Sequence, residues 1–123
     1  MQVHLSPSTV EGGLIFLSGQ MGLDPESRPL AGGVAVQTKA ALERLEAALQ
    51  EHGHGREAII KTTVWLTSAE YFQEFDREYA RFFGDLKPAR STTVTGLVIR
   101  SALVEMEAMA VHRGCHRGLV AGG

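Results

Sequence analysis

Residues Leu103 to His112 constrain the fold more than any other stretch of the chain. A strand turns successive side chains to opposite faces. Val104, Met106, Ala108 and Ala110 then point one way, and suit a face lying under helices. Leu103, Glu105, Glu107, Met109 and Val111 point the other way. A face meeting water should be polar, yet this one sets two carboxylates among large apolar side chains. Leu14-Ile15-Phe16-Leu17, a short run suited to a buried strand, is apolar on both faces as well. A sheet built from these segments needs cover on both sides.

The rest of the chain supplies two helices. The first runs from about Val34 to His52, with Thr38, Ala41, Leu42, Leu45, Ala48 and Leu49 on one face and Gly53 as its C-terminal cap. Thr67 and Glu70 match a capping box for the second helix, which places Phe72, Phe75, Tyr79 and Phe82 on one face and stops at Gly84. Between them Ile59 to Leu66 reads as a strand. Asp24-Pro25-Glu26-Ser27 is turn chemistry, and Gly32-Gly33 closes that loop. Pro88 marks the entry to a strand from about Ser91 to Val98. The order predicts an α+β fold with one mixed sheet and two helices packed on one face. Two helices cover only one face, so a second copy of the chain is expected over the other. The expected division is a single domain over 1–113 and a flexible Gly-rich C-terminal tail over 114–123.

Composition excludes several functions. At 123 residues the chain fits one domain, with 44 % hydrophobic residues to fill a core. A net charge of −2, with nine arginines and three lysines scattered along the sequence, gives no electrostatic case for nucleic acid or an anionic membrane. Cys115 is the single cysteine, so no internal disulfide forms and a cytoplasmic setting is the expectation. Met1-Gln2-Val3-His4 does not read as a signal peptide, and no apolar run approaches the roughly 18 residues of a membrane span.

Arg90 lies in Lys87-Pro88-Ala89-Arg90-Ser91, where proline stiffens the approach and small neighbours leave the guanidinium room. Its planar fork suits a carboxylate held by two parallel hydrogen bonds; the plainer alternative is a solvated arginine at a strand start. Glu105 shares its face with Leu103, Met109 and Val111. Partial desolvation there should raise its pKa and suit it to proton transfer; the alternative is a salt-bridged carboxylate at a subunit contact. Glu105 and Glu107 lie roughly 6–7 Å apart in Cα on a strand, but nothing else suggests the carboxylate pair of a sugar-cleaving site. His112, Cys115 and His116 match no standard zinc spacing, and His52 and His54 are explained by a helix C-terminus. No metal is expected. A phosphate-cradling loop with a lysine and a Gly-x-Ser-x-Gly elbow are both missing from the sequence.

Six segments in order resemble the RidA/YjgF family of reactive imine/enamine deaminases: Phe16-Leu17-Ser18-Gly19-Gln20, Gln37-Thr38 to Leu45, Lys61-Thr62-Thr63-Val64, Tyr79 to Phe83, Pro88-Ala89-Arg90-Ser91 and Leu103-Val104-Glu105-Met106-Glu107-Ala108. The resemblance implies a chorismate-mutase-like fold, a homotrimer with ligand sites between subunits, and no cofactor. It also implies hydrolysis of 2-imino or 2-enamino acids, such as 2-aminoacrylate, to 2-oxo acids and ammonia. By position Arg90 would hold the substrate carboxylate and Glu105 would position water. Ser18, Gly19 and Thr92 would line the pocket. The pocket tyrosine of the deaminases falls at Leu5, which points to a larger or more apolar imine, and the family's asparagine on the second helix falls at Asp76. The resemblance leaves a second function open, a small-carboxylate binding or regulatory protein without turnover. RNA cleavage, ascribed to some relatives, is disfavoured by the acidic balance.

Overall fold

The computed structural model describes residues 3–113. The expected tail, and with it Cys115 and His116, lies outside the described residues. Among the described residues, five strands and two α-helices follow one another as β1 (Ser8–Glu11), β2 (Leu14–Met21), α1 (Val34–Gln50), β3 (Ile59–Leu66), α2 (Phe72–Phe83), β4 (Ala89–Val94) and β5 (Val104–Val111). They form one sheet in the order β1-β2-β5-β3-β4. Only β3 and β4 run parallel; the other neighbours are antiparallel. A parallel pair needs a crossover, and α2 provides it. The architecture is the expected α+β one, with both helices on one face of a mixed sheet.

The core forms between that face and the helices. Ala41, Leu42, Leu45 and Leu49 of α1 and Phe75, Tyr79 and Phe83 of α2 meet Ile15, Leu17, Val64, Leu66, Val104, Met106, Ala108 and Ala110 of the sheet, all of them buried. From Val104 to Val111 the expected alternation holds, with Val104, Met106, Ala108 and Ala110 buried and Glu105, Glu107, Met109 and Val111 in contact with solvent, but Leu103, expected on the open face, precedes the strand and packs against the core. Register puts Leu14 opposite Val111 and Phe16 opposite Met109 on that second face. Trp65 joins it opposite Glu105. Apolar side chains therefore lie on the open face of the sheet, and Phe16 is 38 % exposed.

Several boundaries differ from the sequence expectation for local reasons. Strand β1 is short and largely polar, so its pattern carries little signal. It forms because Gly12 and Gly13, with φ of +60° and +79°, make a two-residue hairpin loop onto β2. The cap before α2 is Ser68 rather than Thr67: its hydroxyl accepts from the Glu70 amide at 3.1 Å, at the start of a 3-10 turn over Ala69–Tyr71. Strand β4 covers Ala89–Val94, not Ser91 to Val98. Its ladder ends where β3 ends, with the Thr95 amide donating to the Leu66 carbonyl. Helix α1 stops at Gln50, so His52 and His54 lie beyond it. His52 Nε2 shares a 2.8 Å hydrogen bond with Ser8 Oγ, and His54 Nε2 lies 3.3 Å from His112 Nδ1. Three histidines that are separate in sequence thus gather at one end of the sheet.

Gln37 ties the loops at the other end to α1. Its Nε2 donates to the Leu30 carbonyl at 3.0 Å and its Oε1 accepts from the Leu103 amide at 2.8 Å, in a side chain that is almost fully buried. The replacement Gln37→Leu leaves both partners without their protein hydrogen bonds. It should lower stability by about 1–3 kcal/mol in chemical denaturation.

Candidate active site

The bulge in β2 builds one half of the site. Between Leu17 and Gln20 the register with β5 shifts, so Ser18 and Gly19 stand out of the regular ladder. Ser18 Oγ donates to the Ser6 carbonyl at 2.6 Å, which fixes the segment carrying Leu5 against the bulge. Leu5 itself is exposed. Gly19 lies directly under Glu105: a Cβ there would sit 2.5 Å from Glu105 Oε2. Only glycine leaves the carboxylate its place. Together with Trp65, Leu97 and Glu107, these two residues line a hollow of about 220 Å3 on the open face.

Burial among these groups, and to a smaller extent the neighbouring Glu107 charge, holds the Glu105 carboxyl above the usual glutamate range. The ionised form is thus penalised in the folded chain. The stability tied to this group is full below the ordinary glutamate pKa and falls as pH rises through the raised value. NMR titration of the carboxyl should show Glu107→Gln bringing the pKa part of the way down, because burial remains. Glu105→Gln should remove the corresponding slope from a stability–pH profile.

Arg90 and Thr92 build the other half, on the opposite side of the sheet. Arg90 pairs in register with Thr62, and Thr92 with Val64. Thr62 points at α2, sharing a 2.7 Å hydrogen bond with the Tyr79 hydroxyl. The Arg90 guanidinium follows it and lies 4.7 Å from the Tyr79 ring centroid and 5.4 Å from that of Phe75. Its Nη1 donates to Asp76 Oδ1 at 2.7 Å. Asp76, Tyr79, Leu86, Lys87 and Arg90 border a groove of about 460 Å3 beside the edge strand.

The residues singled out in the sequence therefore form two groups rather than one. Gly19 and Glu105 line one hollow, with Ser18 next in the bulge and its hydroxyl bonded to Ser6; Arg90 borders the other groove, with Thr92 two residues along the same strand; a single chain does not join the groups. Strand rise and spacing put the Arg90 and Glu105 Cα atoms about 14 Å apart, with side chains on opposite faces. Sequence reasoning treated Arg90 as preceding its strand and missed the Asp76 contact, for which the signal was the acidic residue one turn before Tyr79 on the helix edge. It also missed Trp65, whose place over the Glu105 hollow follows from the alternation in β3.

Fold and residues together define a small α+β protein with a carboxylate-bearing open face and an arginine-bearing edge. The sequence pattern described as Endoribonuclease L-PSP matches residues 2–112. A 2-iminobutanoate/2-iminopropanoate deaminase of Mus musculus is 38 % identical over 98 residues, covering 79 % of this chain and 73 % of the mouse protein. A RutC family protein of Pyrococcus abyssi is 35 % identical over 100 residues, covering 80 % and 79 %. Among solved structures, E. coli TdcF with bound serine superposes with a TM-score of 0.82 at 26 % identity, covering 90 % of both chains. Yeast Mmf1 gives a TM-score of 0.85 at 26 % identity, covering 92 % of this chain and 90 % of its own. The chain belongs to the RidA/YjgF family.

Proposed function

We propose that the protein is a cytoplasmic deaminase that hydrolyses 2-imino and 2-enamino acids to 2-oxo acids and ammonia, at sites formed between the subunits of a homotrimer. The observation that carries this reading is the separation of Arg90 and Glu105 onto opposite faces of one sheet. A four-carbon acid cannot reach both within a chain. It reaches both when the edge strand of one subunit meets the open face of the next, and that face carries Phe16, Met109 and Val111 in need of cover. The named deaminase among the relatives supports the same chemistry.

In this reading Arg90 binds the substrate carboxylate through its remaining guanidinium donors, beside the Thr92 backbone. Ser18 and Gly19 wall the opposite side. Glu105 of the neighbouring subunit accepts a proton from water as the water oxygen bonds to the imine carbon. Glu105 returns its proton to the nitrogen, the C–N bond breaks to release ammonia, and the hydroxyl proton passes to the Glu105 carboxylate as the carbonyl forms. A protonated imine carbon is already electrophilic, so placing water and substrate together supplies much of the acceleration. A carboxyl with a raised pKa is a better base once ionised than an ordinary one.

The test couples the purified protein to a serine or threonine dehydratase and follows decay of the imine. Arg90→Ala should lower kcat/KM about 10- to 100-fold, the scale of charge-assisted hydrogen bonds. Glu105→Gln should lower it about 100-fold or more, and should remove the acid limb of the pH profile, which in wild type lies above the ordinary glutamate pKa. No acceleration by wild type over Arg90→Ala would sink the proposal. Assembly is read separately: wild type should sediment at three times the chain mass, and Met109→Asp should yield monomer. RNA degradation that survives loss of both Arg90 and Glu105 would point to a contaminant.

A further inference from the structure

Arg90 already has a carboxylate partner inside its own chain. Nη1 donates to Asp76 Oδ1 at 2.7 Å, while Nη2 and Nε have no hydrogen-bond partner among the described residues. Asp76 Oδ2 likewise has no donor among the described residues. The arginine side chain is 22 % exposed and the aspartate 48 %, so the aspartate is the more open of the two. Both border the same groove, where Lys87 is the other charged residue. A free donor edge and a free acceptor oxygen therefore stand side by side, held in place by the rings of Phe72, Phe75 and Tyr79 under the guanidinium.

This pair is a poor receptor for a bare carboxylate. Asp76 cancels the arginine charge at short range and repels an incoming anion from a few ångströms away. It is a good receptor for a ligand that carries a carboxylate and a cationic nitrogen on the adjacent carbon. The carboxylate meets the open edge of Arg90, and the N–H groups meet Asp76 Oδ2 in a charge-assisted hydrogen bond. We infer that Asp76 is a specificity-determining residue, which makes the groove select protonated α-imino and α-ammonium acids over 2-oxo acids.

The inference rests on the reading of Arg90 as the carboxylate holder and adds to it a reason for product release. A protonated imine presents N–H donors to Asp76. Hydrolysis puts a carbonyl oxygen in their place, which has no proton to give and faces a negative group. The product keeps its repulsion from Asp76 and loses the contact that offset it. An asparagine at this position would still accept from Nη1, and would remove the charge that makes the distinction.

Two stable acids that differ only at C2 separate these effects: 2-aminobutanoate, a zwitterion near neutral pH, and 2-oxobutanoate, an anion. Their affinities for the full chain are measured by isothermal titration calorimetry for wild type, Asp76→Asn and Arg90→Ala. Wild type should bind the amino acid about 10-fold more tightly than the oxo acid, and Asp76→Asn should reverse that order by tightening the oxo acid and weakening the amino acid. Arg90→Ala should lose both. If Asp76→Asn leaves both affinities unchanged, or moves them by the same factor, while Arg90→Ala loses both, then Asp76 only anchors the arginine. The inference is then wrong, and the carboxylate role of Arg90 stands. If neither acid binds wild type or Asp76→Asn, both readings fall together. The Asp76 side chain is half exposed and asparagine nearly matches its shape, so equal thermal midpoints should confirm that the variant is folded.

Discussion

The sheet has apolar side chains on both faces, and the two helices cover one. Most of the other features depend on this imbalance. The covered face is built by Ile15, Leu17, Val64, Leu66, Val104, Met106 and the two alanines of β5, whose small size lets the helices settle close to the strands. The open face cannot repeat that solution. It keeps Phe16, Met109, Val111 and Trp65 around Glu105 and Glu107, a set too apolar to rest in water without cost and too charged to be a simple core.

That tension explains the character of Glu105. A carboxylate on a fully solvated face would titrate normally, and one sealed in the core would need a partner. Glu105 lies between these limits, pressed against Gly19 and beside a second carboxylate, so its proton is held more tightly than usual. The bulge at Ser18–Gly19 serves the same end. Gly19 in the bulge carries no side chain, so the backbone approaches Oε2 where a Cβ would displace it.

Arg90 faces the contrary problem on the other side of the sheet. Its strand is an edge, so the residue is anchored by β3 on one side only. The guanidinium is placed instead by α2, through the aromatic faces of Phe72, Phe75 and Tyr79 and through Asp76. The same helix that makes the parallel β3–β4 connection possible thus also aims the arginine. Connectivity and site geometry are coupled through one element.

Periodicity alone was enough to read both helices, the central strands and the two-faced nature of β5, because spacing of 3.6 and of 2 is written directly into the order of side chains. The candidate residues Arg90, Glu105, Ser18, Gly19 and Thr92 could also be singled out there, from their motifs and their resemblance to a family. What the sequence could not express was arrangement across the chain. Strand β1 has four residues and little pattern, and it exists because a Gly-Gly turn returns it to β2. The end of β4 at Val94 and the gathering of His52 and His54 with His112 follow from partners distant in sequence. The division of the site into two halves on opposite faces was decided by register: Arg90 stands opposite Thr62 and Glu105 opposite Trp65. A shift of one residue in either strand would have turned its side chain to the other face. Sequence by itself determined that the sheet would need cover on both sides and which residues carry charge there. Only the tertiary structure decided that Arg90 meets Asp76 and Glu105 meets Gly19, because those contacts depend on strand pairing and helix placement, and local spacing does not encode them.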